Sequence, residues 1–119
     1  MGKRRQTDAA LIDAFCDQLW LQDGLAASSL ESYRRDLAAW AAWLDRNAHK
    51  RLLAAERGHI DLYLAAQFRS RSKTASIARR LSSLRRFYRL HTAQGSIRSD
   101  PTLRAVSYTH LTLPTIYSV

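Results

Sequence analysis

The sequence has little of what β-rich, disulfide-bonded or membrane-spanning proteins need. Its 119 residues include one cysteine, two prolines and four glycines. A single cysteine, Cys16, excludes an internal disulfide framework and a cysteine-rich zinc site, and few turn residues argue against a β-sandwich. The longest run without a polar side chain, Leu37 to Leu44, is eight residues, which is too short to cross a bilayer. The basic N-terminus precedes no apolar signal core, so we expect a helical cytoplasmic protein.

Acidic residues are almost absent from the second half of the chain. Residues 1–61 carry nine basic and nine acidic side chains, whereas residues 62–119 carry ten basic residues and one acid, Asp100. Sixteen of the 19 basic residues are Arg, the side chain suited to bidentate contacts with phosphate and guanine. This imbalance indicates a polyanionic partner such as nucleic acid. A solvated basic face and an acidic membrane surface remain alternatives at this point.

Hydrophobic periodicity predicts four helices separated by short polar segments. The first two are bounded by capping residues: Thr7 or Asp8 starts one that Gly24 ends, and Ser28 starts the next in a capping box with Glu31. Gly95 is placed to end the fourth. The predicted spans are 8–22, 28–48, 59–69 and 74–94. Trp20, Trp40 and Trp43 are expected in the core or at its rim, although Trp43 lies off the main stripe of its helix.

No arrangement of residues in the chain is typical of a catalytic site. The sequence has no Gly-rich phosphate loop, no Gly-x-Ser-x-Gly and no His-Glu-x-x-His. Its four histidines are scattered, and His91 falls on the apolar stripe of the fourth helix, where a structural role is expected. Cys16 is interpreted as a small core residue. We therefore predict no catalytic residue, no metal site and no cofactor in this chain.

The fourth helix is the strongest candidate for a functional element. Arg79 and Arg86 are seven residues apart and share a face, and Arg89 extends that ridge. The two serines between them, Ser82 and Ser83, are predicted to lie on the same side. Such a ridge can reach phosphates and base edges from the major groove of DNA.

Several motifs, in order and at the right spacing, resemble Xer-type tyrosine recombinases, and most closely the XerD subgroup. Leu19-Trp20-Leu21, Gly24-Leu25-Ala26 and the run Ser29 to Leu37, with its Tyr-Arg-Arg-Asp-Leu, resemble the start of that family. The segment from Lys73 to Tyr88 is similar to its last core-binding helix, and Asp100-Pro101 matches the turn that closes the domain. The resemblance covers about residues 8–106.

The resemblance implies an all-α, four-helix SAM-like core-binding bundle that forms half of a clamp on double-stranded DNA. Residues 1–106 would be the core-binding domain, and the bound DNA would be a recombination half-site. By resemblance, the full-length protein would resolve chromosome dimers together with a related partner recombinase. The DNA-facing candidates carried over are Ser28, Ser29, Arg35, Lys73, Thr74, Ser76, Arg79, Ser83 and Arg86.

The catalytic residues of the family have no counterpart in this sequence. The family's chemistry uses an Arg, a Lys, a His-x-x-Arg, a second His or Trp and a nucleophilic Tyr that forms a 3′-phosphotyrosine. No His here is followed by Arg at the third position, and Tyr108 and Tyr117 lack any such context. Residues 107–119, which contain no charged residue, match nothing in the family and are expected to be an irregular, disordered or non-native tail. We therefore predict DNA binding without strand cleavage, and no small-molecule substrate.

Two other classes of function remain open from the sequence. A small helical interaction or regulatory module would use the basic helix to bind an acidic protein partner. A peripheral membrane protein would lay that helix on anionic lipid, but the aromatic residues of the fourth helix fall towards its core stripe. We therefore predict that the chain does not bind a membrane.

Overall fold

The computed structural model describes residues 7–103, and the regular structure there is helical. Four α-helices span Asp8–Gln18 (α1), Ala27–Ala48 (α2), Arg57–Arg69 (α3) and Thr74–Ala93 (α4). A π-helical turn, Leu19–Asp23, follows α1, and a 3₁₀ turn covers Leu52–Ala54. With no strand between residues 7 and 103, the prediction of an all-α fold with four helices is confirmed. The tail predicted at 107–119 lies outside the described residues.

The chain divides into two compact units, Met1–Leu52 and Leu53–Val119. The first contains α1, the π-helical turn and α2. The second contains α3 and α4. Each unit contributes its own set of buried apolar side chains.

In the first unit, α1 packs against α2 through one apolar face. Thr7 caps α1 as predicted, because its Oγ1 accepts a hydrogen bond from the backbone N–H of Ala10 at 3.1 Å. Phe15 meets Tyr33 edge to face, with ring centroids 5.9 Å apart. The buried apolar residues of this unit are Leu11, Ile12, Phe15, Cys16, Leu19, Leu37, Trp40, Leu44 and Leu52. Cys16 is a core residue as expected, and its burial raises the pKa of its thiol.

The end of the first helix differs from the prediction. The sequence predicts one helix to Gln22, but the α-helix stops at Gln18 and continues as a wider π-helical turn to Asp23. This turn buries Leu19 and leaves Trp20 55% exposed. The expectation that Trp20 lies in the core or its rim is therefore wrong. Gly24 ends the turn with φ +64°, the left-handed conformation predicted for it.

The start of α2 also differs from the prediction. Its N-cap is Ala26, which makes no side-chain capping bond, and the helix begins at Ala27. Ser28 lies inside the first turn, so the predicted capping box with Glu31 is wrong. Further along the helix, Trp40 is fully buried and Trp43 stacks on it, with ring centroids 5.9 Å apart.

In the second unit, α3 and α4 pack together through apolar side chains. The backbone N–H of Glu56 donates to Nδ1 of His59 at 2.9 Å, which holds the first turn of α3. In the last turn of α3, Oε1 of Gln67 accepts a hydrogen bond from the Arg80 guanidinium of α4. The buried apolar residues of this unit are Ile60, Tyr63, Leu64, Ile77, Leu81, Leu84, Phe87 and Tyr88. The predicted bounds of α4 are correct to within one residue.

The apolar side of α4 is wider than the predicted stripe. Phe87 is fully buried in addition to Leu81, Leu84 and Tyr88. His91 is 8% exposed, which agrees with the structural role expected for it. After α4, Oδ1 of Asp100 accepts hydrogen bonds from the N–H and the hydroxyl of Thr102, at 2.8 and 2.6 Å, so the predicted Asp-Pro turn is present.

Candidate nucleic-acid interface

The side of α4 opposite the core carries a ridge of arginines. Arg79, Ser82 and Arg89 are exposed and Arg86 is half-buried. Their spacing of three, four and three residues keeps them on one helical face. At about 1.5 Å per residue the ridge is roughly 15 Å long. α4 contains five arginines and no acidic residue.

Ser83 does not belong to this exposed ridge. It is only 3% exposed, and its hydroxyl donates to the backbone carbonyl of Arg79 at 3.3 Å. It sits about 100° around the helix axis from Ser82 and on the same edge as Phe87, which is also buried. The prediction that Ser83 lies on the outer face of α4 is therefore wrong, because the core covers a wider arc of α4 than the sequence stripe indicated.

A tight basic turn joins α3 to α4. The N–H of Ser72 donates to the carbonyl of Gln67 at 3.2 Å, and Arg71 has φ +66°. Three of the five residues from 69 to 73 are cationic and exposed: Arg69, Arg71 and Lys73. Of these three, Lys73 alone is among the predicted DNA-facing residues, although the concentration of basic residues next to a helix start is a sufficient signal for all three.

The predicted residues at the start of α4 differ in exposure. Lys73 is the N-cap residue and makes no side-chain capping bond. Lys73 and Thr74 are exposed, whereas Ser76 is half-buried. Lys73 and Thr74 thus present their side chains to solvent beside the positive end of the helix dipole.

The remaining three predicted residues lie in the first unit. Ser28, Ser29 and Arg35 are all exposed, within the first three turns of α2. The neighbouring Arg34 forms an ion pair with Asp13 of α1. The structure therefore gathers the predicted residues into two sets, one at the start of α2 and the other along the N-terminal two thirds of α4.

The two units differ strongly in charge. Residues 1–52 carry eight basic and seven acidic side chains, whereas residues 53–119 carry eleven basic and three acidic ones. The positive charge of the chain is therefore concentrated in the unit that contains the arginine ridge. Such a field attracts polyanions and speeds their encounter with the protein.

Over residues 7–103, no three His, Cys, Asp or Glu side chains cluster in a way that could hold a metal ion. Within the same range, no helix has the length and apolar character required to cross a membrane.

Comparison with known protein families identifies the class to which this fold belongs. Residues 12–95 match the phage integrase N-terminal SAM-like domain. The chain belongs to this family. No solved structure matches it.

The chain is also similar to Xer recombinases. The chain is 46% identical to the tyrosine recombinase XerD of Pseudomonas aeruginosa over 94 residues, which is 79% of this chain and 31% of that protein. It is 42% identical to XerD of Xanthomonas axonopodis pv. citri over 95 residues, 80% of this chain and 31% of that protein. XerC of Xylella fastidiosa is 34% identical over 91 residues, 76% of this chain and 31% of the relative. The resemblance to Xer recombinases is confirmed, and the chain spans about a third of the length of these relatives.

Proposed function

We propose that this chain is the DNA-binding portion of a site-specific tyrosine recombinase and that it binds a duplex half-site without cutting it. The observation that carries this proposal is the ridge on α4, where Arg79, Arg86 and Arg89 share a face and no acidic residue of the helix opposes them. Family membership supports the same conclusion, because the matched relatives are tyrosine recombinases.

The proposed binding mode follows from the dimensions of the helix. An α-helix with its side chains is about 10–12 Å across, and the major groove of B-DNA is about 12 Å wide. Laid in that groove, the ridge of α4 would reach base edges along its centre. The cationic turn Arg69 to Lys73 would neutralise phosphates at the groove edge. Thr74, the half-buried Ser76 and the exposed residues Ser28, Ser29 and Arg35 are the remaining proposed contacts.

Cutting and rejoining of DNA belong, in this proposal, to the part of the relatives that this chain does not cover. The full-length protein would break and rejoin strands through a tyrosyl intermediate and resolve chromosome dimers with a related recombinase. The 119 residues here would contribute binding and positioning alone. Binding by this chain is expected to be weak, because the phosphate contacts of the rest of the protein are missing.

Fluorescence anisotropy of a labelled duplex, titrated with the full 119-residue chain over a salt series, tests the proposal. Affinity should fall steeply as salt rises, with a log–log slope close to the number of phosphates neutralised. A supercoiled plasmid incubated with the chain should show no nicking. Absence of duplex binding even at low salt would overturn the proposal. Binding to an acidic protein in its place would identify an interaction module, and binding to anionic vesicles would identify a membrane-surface protein.

A further inference from the structure

The exposed ridge of α4 has long cationic side chains on both sides of one short polar residue. Arg79 precedes Ser82 by three residues, Arg86 follows it by four, and Arg89 follows by seven. These spacings place all four on one face. Ser82 is exposed and lies near the middle of that face. Between Arg79 and Arg89, it is the one small residue on the ridge.

The neighbouring serine provides an internal contrast. Ser83 is buried and its hydroxyl is bonded to the carbonyl of Arg79, so it serves the helix itself. Ser82 is adjacent in sequence but rotated by about 100° towards solvent. Of the two serines, only Ser82 can meet a partner that covers the ridge.

The size of Ser82 matters because a helix only just fits a major groove. With a groove about 12 Å wide and a helix about 10–12 Å across, the axis approaches the bases closely only where the side chain beneath it is short. An arginine at the same position would hold the axis several ångströms further out. Arginines one turn away on either side can extend along the groove and do not obstruct the approach.

Building on the proposed function, we propose that Ser82 is a specificity-determining residue, the point at which α4 comes closest to the base edges. Its small side chain lets Arg79 and Arg86 reach bases as well as phosphates. Specificity then depends on the volume at residue 82, whereas overall affinity depends on the arginines and on the cationic turn Arg69 to Lys73.

The test uses the full chain and a duplex found by selection. Wild-type protein is used to enrich a pool of duplexes randomised over about one helical turn, roughly 10 base pairs. The enriched duplex and a scrambled version of it are then the two probes. Anisotropy titrations compare wild type with Ser82→Ala, Ser82→Leu and the matched control Ala93→Leu, which adds the same bulk at an exposed residue beyond the arginine ridge. Circular dichroism verifies that each variant is folded.

Ser82→Leu should reduce the preference for the enriched duplex by about tenfold, comparable to the loss of one or more base contacts, while keeping salt-dependent binding to the scrambled duplex. Ser82→Ala and Ala93→Leu should stay within about twofold of wild type. The inference is overturned if Ser82→Leu keeps the full preference, if Ala93→Leu loses as much, or if Ser82→Ala is as damaging as Ser82→Leu. It is also overturned if wild type binds DNA but enriches no sequence, although the proposed function then stands. A wild-type chain that binds no duplex contradicts the proposed function itself.

Discussion

His91 packs against Phe87 inside the second unit, with the two ring centroids 4.6 Å apart. Its Nδ1 is buried and has no hydrogen-bond partner among residues 7–103. Burial disfavours the charged imidazolium, so the pKa of His91 lies below its usual value. This buried ring therefore links the stability of the fold to pH.

The first prediction is that stability falls as pH drops through the ordinary titration range of histidine. Below about pH 6.5 the unfolded chain takes up a proton at His91 that the folded chain resists, so protonation favours unfolding. Replacing His91 with Leu should flatten this part of the pH profile. It should also raise the free energy of unfolding at neutral pH by about 1 kcal/mol, because a buried unsatisfied polar atom is removed. Urea unfolding between about pH 5 and pH 7.5 measures both effects.

The exposed His49, at the C-cap of α2, is the matched control for that experiment. His49→Asn suits the left-handed backbone there and removes an exposed histidine in place of a buried one. A His91→Leu profile as steep as that of wild type would show that other groups determine the acid sensitivity.

The second prediction is that the arginines of the α4 ridge contribute to duplex binding, whereas an exposed arginine elsewhere does not. Arg79→Ala and Arg86→Ala should each weaken duplex binding and leave the helical circular dichroism signal intact. A loss of about 1–3 kcal/mol in binding free energy that is confined to particular DNA sequences would identify a base contact. An equal loss on every sequence would identify a phosphate contact. Arg46→Ala, at an exposed residue in the last turn of α2, should bind as wild type does. If neither ridge variant binds more weakly than Arg46→Ala, α4 is not part of the interface.

The third prediction concerns two tryptophans with opposite environments. Trp40 is fully buried, whereas Trp20 is 55% exposed. Trp40→Ala should lower the free energy of unfolding by about 3–5 kcal/mol, and Trp20→Ala by about 0.5 kcal/mol or less, as at other surface positions. Thermal unfolding of the two variants measures the difference. Independently, iodide should quench the fluorescence of Trp20 readily, and a Trp20→Phe protein should lose most of that quenching.

A fourth prediction tests the start of α1 and the end of the π-helical turn that follows it. Thr7→Ala removes the Oγ1 that accepts from the N–H of Ala10 and should cost about 1 kcal/mol. Gly24→Ala places a side chain at φ +64° with open space around it, so the cost is purely conformational, about 1–2 kcal/mol. Gly24→Asn should be milder because Asn tolerates the left-handed region. Equal losses for the Ala and Asn variants at this position would contradict that explanation.

Much of the fold follows from local signals in the sequence. The period of apolar residues placed α4 to within one residue, and the glycines at 24 and 95 predicted left-handed positions, with φ +64° and +82°. The start of α2 could not be obtained this way. Ser28 and Glu31 fit a capping box, yet Ala26 serves as the N-cap, because nothing local prevents the helix from extending two residues further.

The candidate site was harder to predict than the fold. Ser83 is predicted to be exposed because the predicted apolar stripe of α4 omits Phe87. Ser83 and Phe87 are four residues apart and lie on the same edge of the helix, and packing in the second unit buries that edge. Trp20 is predicted in the core or at its rim, but it lies in the π-helical turn that follows α1 and is 55% exposed. The Ser83 error arose because packing between elements, rather than local periodicity, decides which side of a helix is covered.

The π-helical turn at Leu19–Asp23 also has an evolutionary consequence. A π-helical turn holds one residue more than the α-helical turn it replaces, since its hydrogen bonds span five residues instead of four. The chain between the core residue Phe15 and the left-handed Gly24 can therefore lose one residue while both ends keep their places. A related chain that lacks one residue at this point would have ordinary α-helix in place of the turn, without altering what α1 buries.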